Sequence, residues 1–138
     1  MDNKETKITM TVSSFIDDLK SNDTDPSKID AITHLNGPLL VIAGPGSGKT
    51  RTLVERIVFL ILNGIKSENI MVATFTEKAA KELITRISNR LLDLDIKINL
   101  NEMYIGTLHS IFLRFIDEYR EFTNLKRNYR LLDQFDQK

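Results

Sequence analysis

The chain has 138 residues, 41% of them hydrophobic and 28% charged, the balance of a folded globular chain rather than a disordered one, and at ~100–200 residues per domain it is one domain or a piece of one. Lys plus Arg (19) equals Asp plus Glu (19), so bulk charge gives no argument for nucleic acid and any such argument has to be local. The lack of cysteine excludes disulfides, thiol catalysis and cysteine metal sites, and two histidines, His34 and His109, argue against a histidine zinc site.

The longest unbroken apolar run, Ile57 to Leu62, falls far short of the ~20 residues of a membrane span. The start, MDNKETKITM, carries no apolar signal core. A cytoplasmic location with no membrane partner is therefore expected. Residues 1 to about 24 are polar and acid-rich, with room for a short helix capped by Ser13 and carrying Phe15, Ile16 and Leu19. They read as an N-terminal extension to a domain over 25–138. Asp25-Pro26, a capping carboxylate followed by proline at the first helical position, starts a helix through Ile29 and Ile32 that stops near Asn36-Gly37.

Pro38 to Ala43 is a short apolar run ending in a glycine-rich turn, and it predicts a strand buried on both faces. A helix follows from Lys49, with Leu53/Val54, Ile57/Val58 and Ile61 on one face and Gly64 past its end. Ile70 to Thr74 predicts a second strand. Thr76 then caps a long helix with Ala79/Ala80, Leu83/Ile84, Ile87 and Leu91 on one side, leaving Lys78, Lys81, Arg86 and Arg90 as a solvated face. Met103 to Gly106 predicts a third strand, and the next helix turns Ile111/Phe112, Phe115/Ile116 and Tyr119 inward. Tyr129 to Leu132 suits a fourth strand and Asp133 another helix start. Alternating strands and helices imply a mostly parallel, three-layer α/β sandwich, incomplete at this length.

The strongest chemical signal is Ala43, Gly44, Pro45, Gly46, Ser47, Gly48, Lys49 and Thr50, between predicted strand and predicted helix, the setting of a phosphate-binding P-loop. Glycines let backbone N–H groups turn inward around an anion, and the helix N-terminus adds about half a positive charge. Lys49 aims a full charge at the β- and γ-phosphates, and the Thr50 hydroxyl is placed to ligate Mg²⁺. Ala43 stands where the strict pattern has glycine, but Gly44 and Gly46 keep the loop glycine-rich. The loop alone does not separate kinases, GTPases, ATPases and motors.

Two further segments end the second and third predicted strands: Thr74-Phe-Thr-Glu-Lys-Ala-Ala80 and Gly106-Thr-Leu-His-Ser110. Together with AGPGSGKTRTL they resemble the UvrD/Rep-like superfamily 1 DNA helicases, whose versions are close to TFTNKAA and GTFHS. The resemblance implies a RecA-like P-loop fold, ATP and Mg²⁺ as cofactors, and translocation along single-stranded DNA, or at single/double-strand junctions, in the 3′ to 5′ sense. It also implies that Thr74, Phe75, Thr76, Lys78, Thr107, His109 and Ser110 touch the strand, and that Arg51 lies against the adenine.

Three departures stand out. Lys28 occupies the place of the glutamine in the family's LNxxQ segment, and lysine has no acceptor for the adenine edge. Glu77 replaces the usual asparagine. The family's acidic metal motif, near DEYQD, and its second motor domain have no counterpart in the chain. Asp117-Glu-Tyr-Arg120 lies in a helical pattern and reads as an exposed face. The chain is thus expected to be the front part of a helicase and inactive alone. The alternatives are a small stand-alone P-loop nucleotide-binding protein or kinase, which needs its own metal acid and acceptor site, and a relic that binds DNA without nucleotide.

Overall fold

The structure, a computed structural model, describes residues 8–132. Five helices and two strands follow one another: α1 (Val12–Ser21), α2 (Pro26–Thr33), α3 (Lys49–Leu62), β1 (Met71–Thr74), α4 (Glu77–Asp93), β2 (Tyr104–Thr107) and α5 (Leu108–Glu118). Their starts follow side-chain chemistry. Thr11, rather than Ser13, caps α1 by accepting from the Ser14 N–H, Asp25 accepts from Ser27 at α2, and Thr76 accepts from Ala79 at α4. α3 ends at Asn63, and Gly64 follows with φ +84°, the left-handed exit that glycine permits.

β1 and β2 pair in parallel, Met71 opposite Tyr104 and Thr74 opposite Thr107, with α4 as the crossover between them. The described chain is mixed α/β with a two-stranded parallel sheet. Its core joins Phe15 and Leu19 of α1, Ile32 of α2, Val54, Ile57, Val58 and Ile61 of α3, Val72 of β1, and Leu83, Ile87 and Leu91 of α4. The N-terminal segment therefore contributes two of the most deeply buried side chains, Phe15 (0% exposed) and Leu19 (1%).

Three expectations are corrected. Residues 38–43 form no strand: Leu40 is 84% and Ile42 89% exposed, and no described strand pairs with them. A strand exists only through ladder bonds to a neighbour, and neither β1 nor β2 extends its ladder to this segment. Residues 129–132 form no strand either. A turn brings the Tyr129 N–H to the Lys126 carbonyl, and the Tyr129 hydroxyl donates to Asp117; Asp133 lies outside the described residues. The face of α5 is less covered than its periodicity predicts, since only Ile111 is buried while Phe112 and Tyr119 are exposed.

Three arginines fasten the helices. Arg56 of α3 donates to the carbonyls of Ala31 (2.8 Å) and His34 (2.7 Å), holding the end of α2 where its dipole is negative. Arg114 of α5 donates to the Met103 (3.0 Å) and Asn101 (2.8 Å) carbonyls and lies over the Tyr104 ring. Arg90, expected on a solvated face, donates through Nε to Glu55 of α3 (3.0 Å) and through Nη2 to Asp18 of α1. Glu55 is buried, and burial pushes its carboxyl above the ordinary glutamate range against the opposing pull of Arg90.

Removing Arg90 strands that buried carboxylate. Arg90→Met is expected to cost about 3 kcal/mol in urea unfolding, and adding Glu55→Gln to recover most of it. Additive losses would contradict the pairing. The folded state holds the Glu55 proton at pH values where the unfolded chain has released it. Stability in the parent chain therefore falls as pH rises from the ordinary glutamate range through the folded value, and Glu55→Gln removes that slope.

Candidate nucleotide and nucleic-acid sites

The loop before α3 is open. The Ser47 N–H (3.3 Å) and hydroxyl (2.6 Å) both donate to the Gly44 carbonyl, which turns the chain tightly. Gly46 and Gly48 hold φ of +75° and +79°, a backbone that side-chain-bearing residues adopt only under strain. Gly48 is the N-cap of α3, with no side chain to accept from the first turn, and its carbonyl takes the Thr52 N–H and hydroxyl. The leading amides of α3 are thus left for an external acceptor. Lys49, Thr50 and Arg51 are exposed, and Lys49 forms no hydrogen bond or ion pair among the described residues. Ala43 is half-buried, Pro45 exposed.

The other predicted site residues gather at one edge of the sheet. Parallel pairing sets Thr74 opposite Thr107, so the segments that follow leave the sheet side by side. Phe75 is 103% exposed and takes no part in the core. The Thr74 hydroxyl donates to the Thr76 carbonyl (2.9 Å) and holds the turn into α4, leaving Lys78 exposed in the first helical turn. On the neighbouring strand Thr107 caps α5 by accepting from the Ser110 N–H (3.2 Å), and the Ser110 hydroxyl returns to the Thr107 carbonyl (3.0 Å). His109 is exposed beside them. The Thr107 hydroxyl also donates to the Glu77 carboxylate (3.1 Å) and ties the two segments together. That tie was hidden in the sequence, where Glu77 reads only as a misplaced negative charge. Among the described residues no hydrogen bond or ion pair joins this edge to the loop at 43–51.

Asp117 and Glu118 are exposed and engaged, Asp117 with Tyr129, and Glu118 with Tyr104 (2.6 Å) and Arg114 (2.8 Å). Those hydrogen bonds, with Tyr104 first, hold the Glu118 carboxyl below its ordinary range. Among the described residues no three His, Asp or Glu side chains converge as a metal site would require, and no helix is long and apolar enough to cross a membrane.

Comparison with known proteins gives these segments a family. Residues 10–138 match the UvrD/REP helicase N-terminal domain, and the chain belongs to that family. The match takes in α1 as well as the loop and the sheet edge. The chain is 40% identical over 109 residues to the ATP-dependent DNA helicase Rep of Buchnera aphidicola, covering 78% of this chain and 16% of that protein. It is 40% identical over 97 residues to the ATP-dependent DNA helicase SRS2 of Saccharomyces cerevisiae, covering 70% and 8%. It is 36% identical over 110 residues to the ATP-dependent DNA helicase PcrA of Staphylococcus epidermidis, covering 79% and 14%. The chain thus spans about a sixth or less of the length of these relatives.

Gly106 gives a local test of the sheet edge. It is buried, and a β-carbon there would run into the Ser110 hydroxyl. Gly106→Ala is expected to destabilise the chain by about 1–2 kcal/mol through overpacking. Adding Ser110→Ala should return at least half of that in thermal or urea unfolding, whereas a Gly106→Ala chain as stable as its parent would contradict the geometry.

Proposed function

We propose that the chain is the ATP- and single-stranded-DNA-binding front part of an ATP-dependent DNA helicase or translocase. Residues 25–138 form the N-terminal part of its RecA-like, three-layer P-loop domain, and residues 1–24 are an N-terminal extension whose helix α1 packs into the core of that domain. The observation that carries the reading is a glycine-bounded helix start whose amides are left open, in a chain that also presents a bare aromatic and a paired set of hydroxyls at the end of a parallel strand pair.

In this reading the residues from Ala43 to Gly48 surround the nucleotide's terminal phosphates with amides, Lys49 neutralises their charge, and Arg51 lies against the base. Thr50 supplies a hydroxyl to Mg²⁺, and bound Mg²⁺ supplies charge neutralisation at the reacting phosphates. Phe75 stacks on a base, a contact worth roughly 1–3 kcal/mol by truncation. Lys78 and the α4 N-terminus hold phosphate. Thr74, Thr76, Thr107, His109 and Ser110 complete the contacts to an unpaired strand or a single/double-strand junction. Movement is 3′ to 5′ and needs a second motor domain closing over ATP. The enzyme works in the cytoplasm.

Phosphoryl transfer also needs an acid to hold the metal and a group to orient the nucleophile. The 138-residue chain alone is therefore expected to bind Mg²⁺-nucleotide without separating DNA strands. Lys49→Ala should abolish that binding at equal fold by circular dichroism, and strand separation by the isolated chain would overturn the proposal.

The DNA contacts divide by physics. Phe75→Ala should weaken binding of an unlabelled single strand about tenfold or more with its salt dependence unchanged, because stacking releases no counterions. Lys78→Ala should instead lower the slope of log affinity against log salt by about 0.7. Equal slopes for the two variants would count against this assignment.

A further inference from the structure

Two cavities meet at one side chain. The first, between α2, residues 39–43 and the glycine loop, has both Lys28 and Lys49 in its wall. The second has Lys28 together with Arg51, Thr52 and Glu55. Lys28 stands half-buried in the first turn of α2. Its ammonium comes so near the α3 N-cap that a β-carbon on Gly48 would lie 3.4 Å from Nζ. The ammonium itself forms no hydrogen bond or ion pair among the described residues. The exposed Asp25 carboxyl feels its charge, but that carboxyl is held low mainly by its hydrogen bonds from Ser27. The far end of α2 is pinned to α3 by Arg56, so the stem of Lys28 is carried on a helix fixed against the loop.

Resting on the nucleotide-binding reading above, we propose that Lys28 is a phosphate-directed specificity residue. It adds a second ammonium to the cradle of Lys49 and leaves the base unread, so the site selects nucleoside triphosphates by their polyphosphate rather than by adenine. The chemistry follows from the donor set. Adenine's pairing edge presents an amino donor beside an acceptor, and reading both needs a side chain with an acceptor, which an ammonium lacks. A polyphosphate is all acceptor and multiply charged, and an ammonium set at the rim of uncapped amides meets it with three donors. The position over Gly48 places that charge at the phosphate end of the loop.

The test measures binding of Mg²⁺-ATP, Mg²⁺-GTP and inorganic tripolyphosphate to the full chain and to Lys28→Gln, Lys28→Arg and Lys49→Ala. The parent is expected to bind ATP and GTP within about twofold of each other, because Arg51 lies against the flat face of the base, which adenine and guanine share, and Lys28 does not read its edge. Lys28→Gln should weaken all three ligands by about fivefold at low salt, the loss of one close, partly screened charge pair. Lys28→Arg, which keeps the charge, should retain tripolyphosphate binding. Unchanged tripolyphosphate binding in Lys28→Gln, with binding lost in Lys49→Ala, overturns the role of Lys28 and leaves the nucleotide site standing. A parent that prefers one base by tenfold, with the preference lost in Lys28→Gln, makes Lys28 a base reader and overturns the proposal. A parent that binds none of the three, or a Lys49→Ala chain that binds them all as well, overturns both readings.

Discussion

The leading amides of α3 govern this structure. A helix start with no side-chain acceptor leaves hydrogen-bonding groups unspent, and a chain tolerates that only where the rest of the fold holds the turn in place. Here the holding is done by α3 itself, which α1, α2 and α4 surround. Arg56 fixes the end of α2 to it, and Glu55 receives Arg90 from α4, which also grips α1 through Asp18. The glycines at 46 and 48 give the loop its shape, and the helix behind gives that shape a rigid base. A loop so mounted loses little conformational freedom when an anion arrives, which is how preorganisation raises affinity without new contacts.

The same geometry explains what could be read from the amino-acid order. A helix closes its own backbone bonds, so its face, caps and length are local properties: α2, α3 and α4 lie close to where the apolar spacing and the caps Asp25 and Thr76 place them. A strand is a property of pairs. Residues 71–74 and 104–107 have each other and form a sheet, while Leu39 to Ile42, more apolar than either, have no described partner and stay exposed. Phe112 and Tyr119 fail for the same reason, since periodicity says which residues share a face and not whether anything covers it. Sequence reasoning missed Arg90 because exposed and bonded arginines look alike on a helical wheel. The available signal was Glu55, a carboxylate between buried Val54 and Ile57, which had to find a cation.

At the sheet edge the departure at residue 77 has a structural use. A carboxylate beside the lysine proposed to hold phosphate would oppose an anion, yet the Glu77 carboxylate is engaged by the Thr107 hydroxyl and joins the turn after β1 to the turn after β2. Thr107 already caps α5 through Ser110, so one threonine serves helix start, sheet edge and cross-strand link together. The bare ring of Phe75 therefore projects from a braced support rather than from a loose loop. The stacking proposed for Phe75 would gain from this, because an aromatic ordered before contact pays less side-chain entropy to make it.

The two candidate sites, joined by no hydrogen bond or ion pair among the described residues, stand at the starts of helices that pack together. The glycine loop opens α3, Thr76 opens α4, and Glu55 and Arg90 bind those helices through a largely desolvated ion pair. A surface pair could not carry this connection, because water and salt would screen it and long side chains would follow either helix without moving the other. A buried carboxylate has no such freedom. Its energy rises steeply if the guanidinium withdraws, so a shift of either helix is resisted or shared rather than absorbed locally. The Asp18 contact extends the constraint to α1, whose Phe15 and Leu19 lie in the centre of the core. The N-terminal helix belongs to the mechanical frame that keeps the glycine loop and the strand-end aromatic in fixed relation.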